Sequence, residues 1–256
     1  EAGHDFGLSH QSKYSGSTLV QAYSTGSGNG VAPIMGNSYS AGRSLWGYGP
    51  TSESSSTYQD DMAVIAGATN GFGYRPESAG TSAAMATPIG ASGDQVYASG
   101  VILTGQDVNV YSVLVGTGTS TFTVQAMARY NNLVPTIQLY DATGTVLLAS
   151  ASAPSDGSSA TISYNFTQAG GYRLFVRADG TYGNAGQYSL SGTVVPPPTS
   201  LYVSAPEGLN VTSLSPSQIT IAWADRSSNE SGFLLQRSDN GGGWFTLAGY
   251  LAPGTT

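Results

Sequence analysis

Short alternating strands separated by turns dominate residues 96–195, and they constrain the fold of this chain more than any other feature. Polar and apolar residues alternate over residues 107–113 and again over 119–125, as they do in strands with one buried face. Further strands are predicted at residues 137–140, 146–148, 161–166, 172–176 and 187–194. Turn signals at this spacing indicate an all-β sandwich.

The sequence on either side of these strands predicts the domain boundaries. Residues 76–95 are rich in Gly, Ala, Ser and Thr and are predicted to be a linker, and the triple proline within 196–200 predicts a second, stiffer linker. We therefore expect three structured parts, at residues 1–75, 96–195 and 201–256. The predicted fold class is mainly β and multidomain.

Composition excludes two classes of function. The chain has 256 residues, a net charge of −7 and only 9% charged residues, and it contains no cysteine. Nucleic-acid binding needs a basic stripe that this acidic chain lacks, and no apolar run reaches the length of about 18 residues that a membrane span needs. A weakly charged chain rich in Gly, Ser and Thr is typical of a secreted β protein.

The first ten residues carry groups at the spacing of a catalytic zinc site. His4 and His10, the only histidines, lie six residues apart with Gly7 midway. Gly7 is expected to end a helix with a positive φ, so that the chain turns and brings His10 to His4. Glu1 is the predicted general base for a water that zinc activates. The spacing resembles the zinc-protease motif H-E-x-x-H-x-x-G-x-x-H, which implies a third histidine ligand directly before Glu1, outside this sequence. Three protein ligands would leave the open position that a catalytic zinc needs.

A turn-rich segment at residues 32–37 follows, with Met35 at its centre. With the histidine spacing, this order resembles the metzincin zinc peptidases, and residues 1–75 are similar to the C-terminal half of a secreted, reprolysin-like bacterial catalytic domain. The matching stretches are 4–10, 33–36, 59–65 and 70–75. The resemblance implies a partial α+β catalytic subdomain in which Met35 forms an apolar floor under the histidines. Tyr39 is a weaker candidate for a zinc role, because its spacing from Met35 differs from that of metzincins with a Tyr ligand.

A second helix is predicted within residues 1–75, after the one that Gly7 is expected to end. It is expected to start near residues 56–57, with Asp60 and Asp61 in its first turn. Tyr58, Met62 and Ile65 are expected to share its apolar face. We predict that the two aspartates stabilise the start of this helix and do not bind a metal.

The two later parts also resemble known modules. Residues 96–195 are similar to the pre-peptidase C-terminal domain, through the stretches 106–112, 139–141 and 186–192. Residues 201–256 resemble the first strands of a fibronectin type III module, through the stretches 205–209, 218–223 and 232–237, with Trp223 as its core tryptophan. Since such an Ig-like sandwich needs about 100 residues, we expect only part of it here.

These observations predict a secreted zinc-dependent metalloendopeptidase that cleaves extracellular proteins or peptides. The alternative is a non-catalytic adhesion protein whose β-modules bind an extracellular surface or matrix ligand. Calcium binding by Asp107, Asp141 and Asp179 is a further hypothesis, since related sandwiches bind calcium through oxygen clusters. Solvated aspartates in turns are the simpler explanation of these three residues.

Overall fold

The computed structural model describes residues 2–28, 30–127, 132–155, 158–215, 218–227, 230, 232–238 and 244–256. Strands make up 47% and helices 7% of the structure, and the main sheets form a sandwich. The mainly-β class predicted from the sequence is therefore confirmed, whereas an α+β metzincin subdomain is not shown. The chain divides into two compact units, Glu1–Pro196 and Pro197–Thr256.

The described part of residues 1–75 consists of two short helices and three pairs of short strands. Its helices are α1 (Ala2–Asp5) and α2 (Asp61–Ala66), and its strands are β1 (Lys13–Ser15), β2 (Thr18–Gln21), β3 (Val31–Pro33), β4 (Arg43–Leu45), β5 (Tyr48–Pro50) and β6 (Tyr58–Asp60). The pairs β1–β2 and β5–β6 are antiparallel, and β3–β4 is parallel.

The helix α2 begins later than the sequence predicted. Residues 58–60 extend as strand β6, and Asp60 is the N-cap, since its side chain accepts a hydrogen bond from the Ala63 amide at 2.8 Å. The predicted apolar face is wrong for Tyr58, which lies on this strand and is largely exposed. Pairing of β6 with β5 outweighs local helix propensity here.

Two five-stranded sheets form the sandwich. The first has the order β13-β12-β15-β10-β7 and the second the order β14-β11-β16-β9-β8. The strands are β7 (Thr87–Pro88), β8 (Gly90–Ser92), β9 (Gln95–Ile102), β10 (Val108–Val115), β11 (Gly118–Ala126), β12 (Thr136–Tyr140), β13 (Leu147–Ser152), β14 (Ser159–Phe166), β15 (Gly170–Arg177) and β16 (Gly186–Thr193).

The core of the sandwich lies between the two sheets. Along β11, Ser120, Phe122, Val124 and Ala126 are buried while the residues between them are more exposed, as the period of two along a strand requires. The buried apolar cluster draws its members from between Val96 and Val194. The seven strand segments predicted from alternation correspond to β10 through β16.

The stretch predicted as a linker packs onto the sandwich. Within residues 76–95, a 3-10 turn covers Ala83–Met85, and β7 and β8 form an edge strand of each sheet. Gly80 adds a bridge to Val110, whose amide donates to the Gly80 carbonyl at 2.7 Å. Small residues allow this close approach, since a Cβ at Gly80 would lie 1.7 Å from the Met85 carbonyl oxygen.

The second unit, Pro197–Thr256, contains two antiparallel pairs in its described part. These are β17 (Glu207–Ser215) with β18 (Gln218–Ala224), and β19 (Phe233–Ser238) with β20 (Trp244–Leu251), after a 3-10 turn at Thr199–Leu201. Trp223, the predicted core tryptophan, is partly buried and its ring lies 5.7 Å from that of Phe233. Among the residues described across both units, no helix has the length and apolarity needed to cross a membrane.

Candidate metal centre

The helix α1 and the turn after it bring the two histidines into contact. The amide of Gly7 donates to the His4 carbonyl at 2.9 Å, and Gly7 then takes a φ of 86°. That conformation favours glycine, since a Cβ would meet the backbone. The chain turns back, and His10 Nε2 comes to lie 3.0 Å from His4 Nε2. The structure therefore brings the side chains of His4 and His10 together across the turn at Gly7.

Hydrogen bonding fixes the tautomer of His4. Its Nδ1 lies 2.7 Å from the Leu8 carbonyl oxygen, and because a carbonyl only accepts, Nδ1 must carry the proton. The lone pair of neutral His4 is then on Nε2, the atom that faces His10. Burial, followed by the electrostatic effect of His4, lowers the pKa of His10. A histidine whose Nδ1–H is held by a carbonyl presents Nε2 as the lone-pair donor that zinc prefers.

Met35 lies directly against the helix that carries His4. Its side chain is buried, and a Cβ on Gly3 would lie 2.2 Å from the Met35 sulfur. The Met35 carbonyl accepts from the amide of Gln11 at 2.8 Å, so the turn is joined to the residue that follows His10. Met35 thus occupies a position from which it supports both histidine-bearing segments.

An open cavity of about 600 Å³ exposes the histidine pair. Its wall includes His4, His10, Met35 and Tyr23. Tyr23 was not singled out in the sequence, yet its ring centroid lies 4.5 Å from that of His10. Tyr39, the tyrosine considered for a zinc role, also borders the cavity but is 97% exposed, and it has no described contact with either histidine.

A buried carboxylate supports the segment around His10. Asp61 is fully buried and accepts hydrogen bonds from the Gly47 amide at 2.8 Å, Gln59 Nε2 at 2.8 Å and Gln11 Nε2 at 3.1 Å. The sequence predicted only a helix-start role for Asp61, and this prediction missed its contacts with Gln11 and Gly47. No local pattern could have found them, because Gln11 is 50 residues away along the chain.

The other residues considered from the sequence lie elsewhere or outside the described part. Glu1 is not among the described residues. Asp107, Asp141 and Asp179 each accept hydrogen bonds from their own loops, and calcium binding by them stays an untested hypothesis. Within the described ranges, no group of three or more His, Cys, Asp or Glu side chains could hold a metal. The two histidines fit zinc chemistry, and a complete site needs another ligand.

Comparison with known proteins concerns the sandwich. The family model of the IRG7 N-terminal galactose binding domain matches residues 108–193, which is less than half of the chain. No curated protein matches the sequence.

Solved structures similar to the chain include three β-rich proteins. The pre-peptidase C-terminal domain of Bacillus anthracis collagenase is 23% identical, with a TM-score of 0.33 over 46% of this chain and 98% of that one. Aeromonas hydrophila PliG, a periplasmic inhibitor of g-type lysozyme, is 16% identical, with a TM-score of 0.33 over 43% and 95%. Yersinia pseudotuberculosis-derived mitogen is 14% identical, with a TM-score of 0.29 over 39% and 85%. The first of these is a module of the kind that residues 96–195 were predicted to resemble.

Proposed function

We propose that residues 1–75 carry part of the zinc centre of a secreted endopeptidase that hydrolyses peptide bonds in extracellular proteins. The observation that supports this proposal is the approach of His4 Nε2 to His10 Nε2, at 3.0 Å, on the wall of an open cavity. Two histidines pointing their Nε2 atoms at one location, with Met35 packed against Gly3 beneath them, form a donor pair suited to a metal ion.

His4 and His10 would hold the zinc, together with the histidine predicted to precede Glu1. Bound zinc supplies a Lewis acid that lowers the pKa of a water and polarises a peptide carbonyl. The Leu8 carbonyl keeps the proton of His4 on Nδ1. Met35 packs against Gly3 and so supports α1, the helix that carries His4. Glu1 is the proposed general base that takes a proton from the attacking water and delivers it to the leaving amine.

Zinc titration of extended chains tests this proposal. Two forms would carry a short N-terminal extension ending in either His or Ala immediately before Glu1. Loss of a group that only hydrogen-bonds to a zinc ligand can weaken zinc binding by up to roughly 100-fold. The His form gains a direct ligand, so its zinc affinity should exceed that of the Ala form by at least this factor. The unextended chain should bind zinc weakly and show no peptidase activity.

Variants of the His-extended form separate the proposed roles. His10→Ala should lose zinc, whereas Asn37→Ala, on the wall of the same cavity, should retain it. Glu1→Gln should retain zinc but lose most peptide hydrolysis, because a base is removed and not a ligand. Equal zinc affinity of the His and Ala forms, or full activity of Glu1→Gln, would show that the assignment is wrong.

The second candidate is a non-catalytic function in surface or matrix binding. The comparisons favour it over the peptidase, because the matched family model is that of a galactose binding domain and it matches within the sandwich. A ligand containing galactose would then bind residues 108–193. Glycan-array binding by the whole chain tests this candidate, with the His4→Ala/His10→Ala variant as control. Binding retained in that variant supports it, and no binding to any galactose-containing glycan contradicts it.

A further inference from the structure

A loop of the sandwich, residues 179–186, contacts the segment that carries the histidines. Tyr182 Oη donates a hydrogen bond to Asp60 Oδ1 and accepts one from the Met62 amide at 2.9 Å. Burial, and then the hydrogen bond to Asp60, raises the pKa of Tyr182, so the phenol remains a donor at neutral pH. One side chain of the sandwich therefore holds both the N-cap and the first turn of α2.

The residues on either side of Asp60 hold the two neighbours of His10. Gln59 accepts from the Ser9 amide at 2.8 Å and donates to the Ser9 carbonyl at 2.9 Å. Asp61 accepts from the Gln11 side chain at 3.1 Å. The backbone before His10 and the residue after it are thus both joined to the short segment that Tyr182 contacts.

The loop is itself held firmly in the sandwich. Asp179 accepts from the Thr181 amide at 2.8 Å and from Asn184 Nδ2 at 2.7 Å, and the fully buried Asn184 accepts from the Val134 amide at 2.7 Å. Gly183 has a φ of 78°, and a Cβ there would lie 2.3 Å from the Trp46 carbonyl oxygen. The loop therefore presents Tyr182 from a fixed position.

We propose that Tyr182 is a positioning residue for the histidine pair. Through Asp60, it fixes the contacts of Gln59 with Ser9 and of Asp61 with Gln11, and these orient His10 towards His4. The sandwich is then part of the scaffold of the metal centre. The consequence for metal binding rests on the proposed function, whereas the orientation of the histidines in the metal-free chain does not.

Histidine-selective NMR of the whole chain tests this proposal, because two histidines give only two sets of imidazole signals. Tyr182→Phe keeps the ring that lies 5.8 Å from Tyr48 and removes the hydroxyl. Tyr172→Phe is the matched control, since it removes a hydroxyl that donates to Gln168 within the sandwich at 2.9 Å. Without metal, both variants would be measured in the unextended chain, which has two histidines. The titration with zinc alone would use the His-extended form, which carries a third histidine.

Tyr182→Phe should shift or broaden the metal-free signals of His10. It should also weaken zinc binding about threefold to tenfold, which is less than the loss of a group that hydrogen-bonds directly to a zinc ligand can cost. Tyr172→Phe should leave both unchanged. Gln59→Leu gives a second test, because it removes the link to Ser9 and should alter the same His10 signals. If both Tyr182→Phe and Gln59→Leu leave the His10 signals as in the natural chain, the proposal is wrong, even where the variants unfold more easily. If the His10 signals change in these variants but the His-extended form without substitutions does not bind zinc, the positioning role stands and the peptidase proposal fails.

Discussion

The histidine-bearing segment and the sandwich are stabilised in different ways. Between the two sheets, Phe122, Ile137 and Leu174 are completely buried members of one large apolar cluster. In residues 1–75, by contrast, the buried side chains include Gln11, Ser12, Thr51, Gln59 and Asp61 alongside a few apolar ones. The sandwich depends on apolar burial, and the segment before it depends on directed hydrogen bonds.

This difference suits the different tasks of the two regions. Apolar contacts are non-directional and tolerate small shifts, whereas hydrogen bonds to a buried carboxylate weaken quickly when distances or angles change. The region that holds the two imidazole nitrogens at 3.0 Å gains precision from such bonds. We expect residues 1–75 to have low stability when separated from the rest of the chain. The contacts between residues 1–75 and the sandwich can offset this.

Separating the two regions should have the largest effect. Residues 78–196 retain the apolar cluster and both edge strands, so they should unfold cooperatively on heating. Residues 1–75 lose Tyr182 and the rest of the sandwich, and they should show no cooperative transition. Circular dichroism melts of the two fragments measure this directly. A cooperative melt of residues 1–75 alone would refute the proposed dependence.

Truncation of the sandwich core should have the next largest effect. Phe122→Ala removes a completely buried ring and should lower the free energy of unfolding by about 3–5 kcal/mol. Gln125→Ala, at an exposed position of the same strand, should change it by less than about 0.5 kcal/mol. Urea denaturation provides the measurement, and comparable losses in both variants would argue against a single packed core.

Replacement of the buried carboxylate tests the polar region. Asp61→Asn sets an amide N–H₂ group against at least one of the donors from Gly47, Gln11 and Gln59. It should cost about 1–3 kcal/mol, the penalty of an unsatisfied buried donor. The exposed Asp94 is the control, and Asp94→Asn should be nearly neutral. If the two variants were equally stable, directed bonds to Asp61 would not be important for this region.

The pH dependence of that loss should be the smallest of these effects. Burial, the largest cause, raises the pKa of Asp61 above its ordinary value of 3.8, so the folded chain holds this proton more tightly than the unfolded chain. The corresponding stability is present below the unfolded pKa and is lost as pH rises through the raised pKa. The stability difference between the natural chain and Asp61→Asn should therefore be larger at pH 4 than at pH 7. A larger difference at pH 7, measured by denaturation, would indicate the opposite shift.

The sequence predicted those parts of the fold that depend on local pattern. Alternation located β10 through β16, because one face of each strand is buried against the core. It missed β9, where Gly100 interrupts the pattern. Glycine is required there, since a Cβ would lie 2.4 Å from the Tyr188 hydroxyl and 2.7 Å from Asn109 Oδ1. That constraint comes from two other strands and leaves no local signal.

The candidate site divides in the same manner. His4, Gly7 and His10 were singled out by their short spacing within one motif, and Met35 by the metzincin resemblance that this motif suggested. Gln59 and Asp61 contact the neighbours of His10 across 50 residues of the chain, and Tyr182 contacts Asp60 across 122. Their roles depend on tertiary contacts, and a single sequence contains no periodicity that reports them.

The way in which the sandwich is joined to the preceding segment also has a mechanical consequence. Chain tension applied at residue 75 would first reach the sandwich at the bridge between Gly80 and Val110, and then at β7 and β8, which pair through only two and three residues. The eight-residue strands β9 and β10 lie behind them in the two sheets. Under load the short edge strands would detach first and release slack while the long strands stay paired. The junction would then yield under tension before the core of the sandwich unfolds.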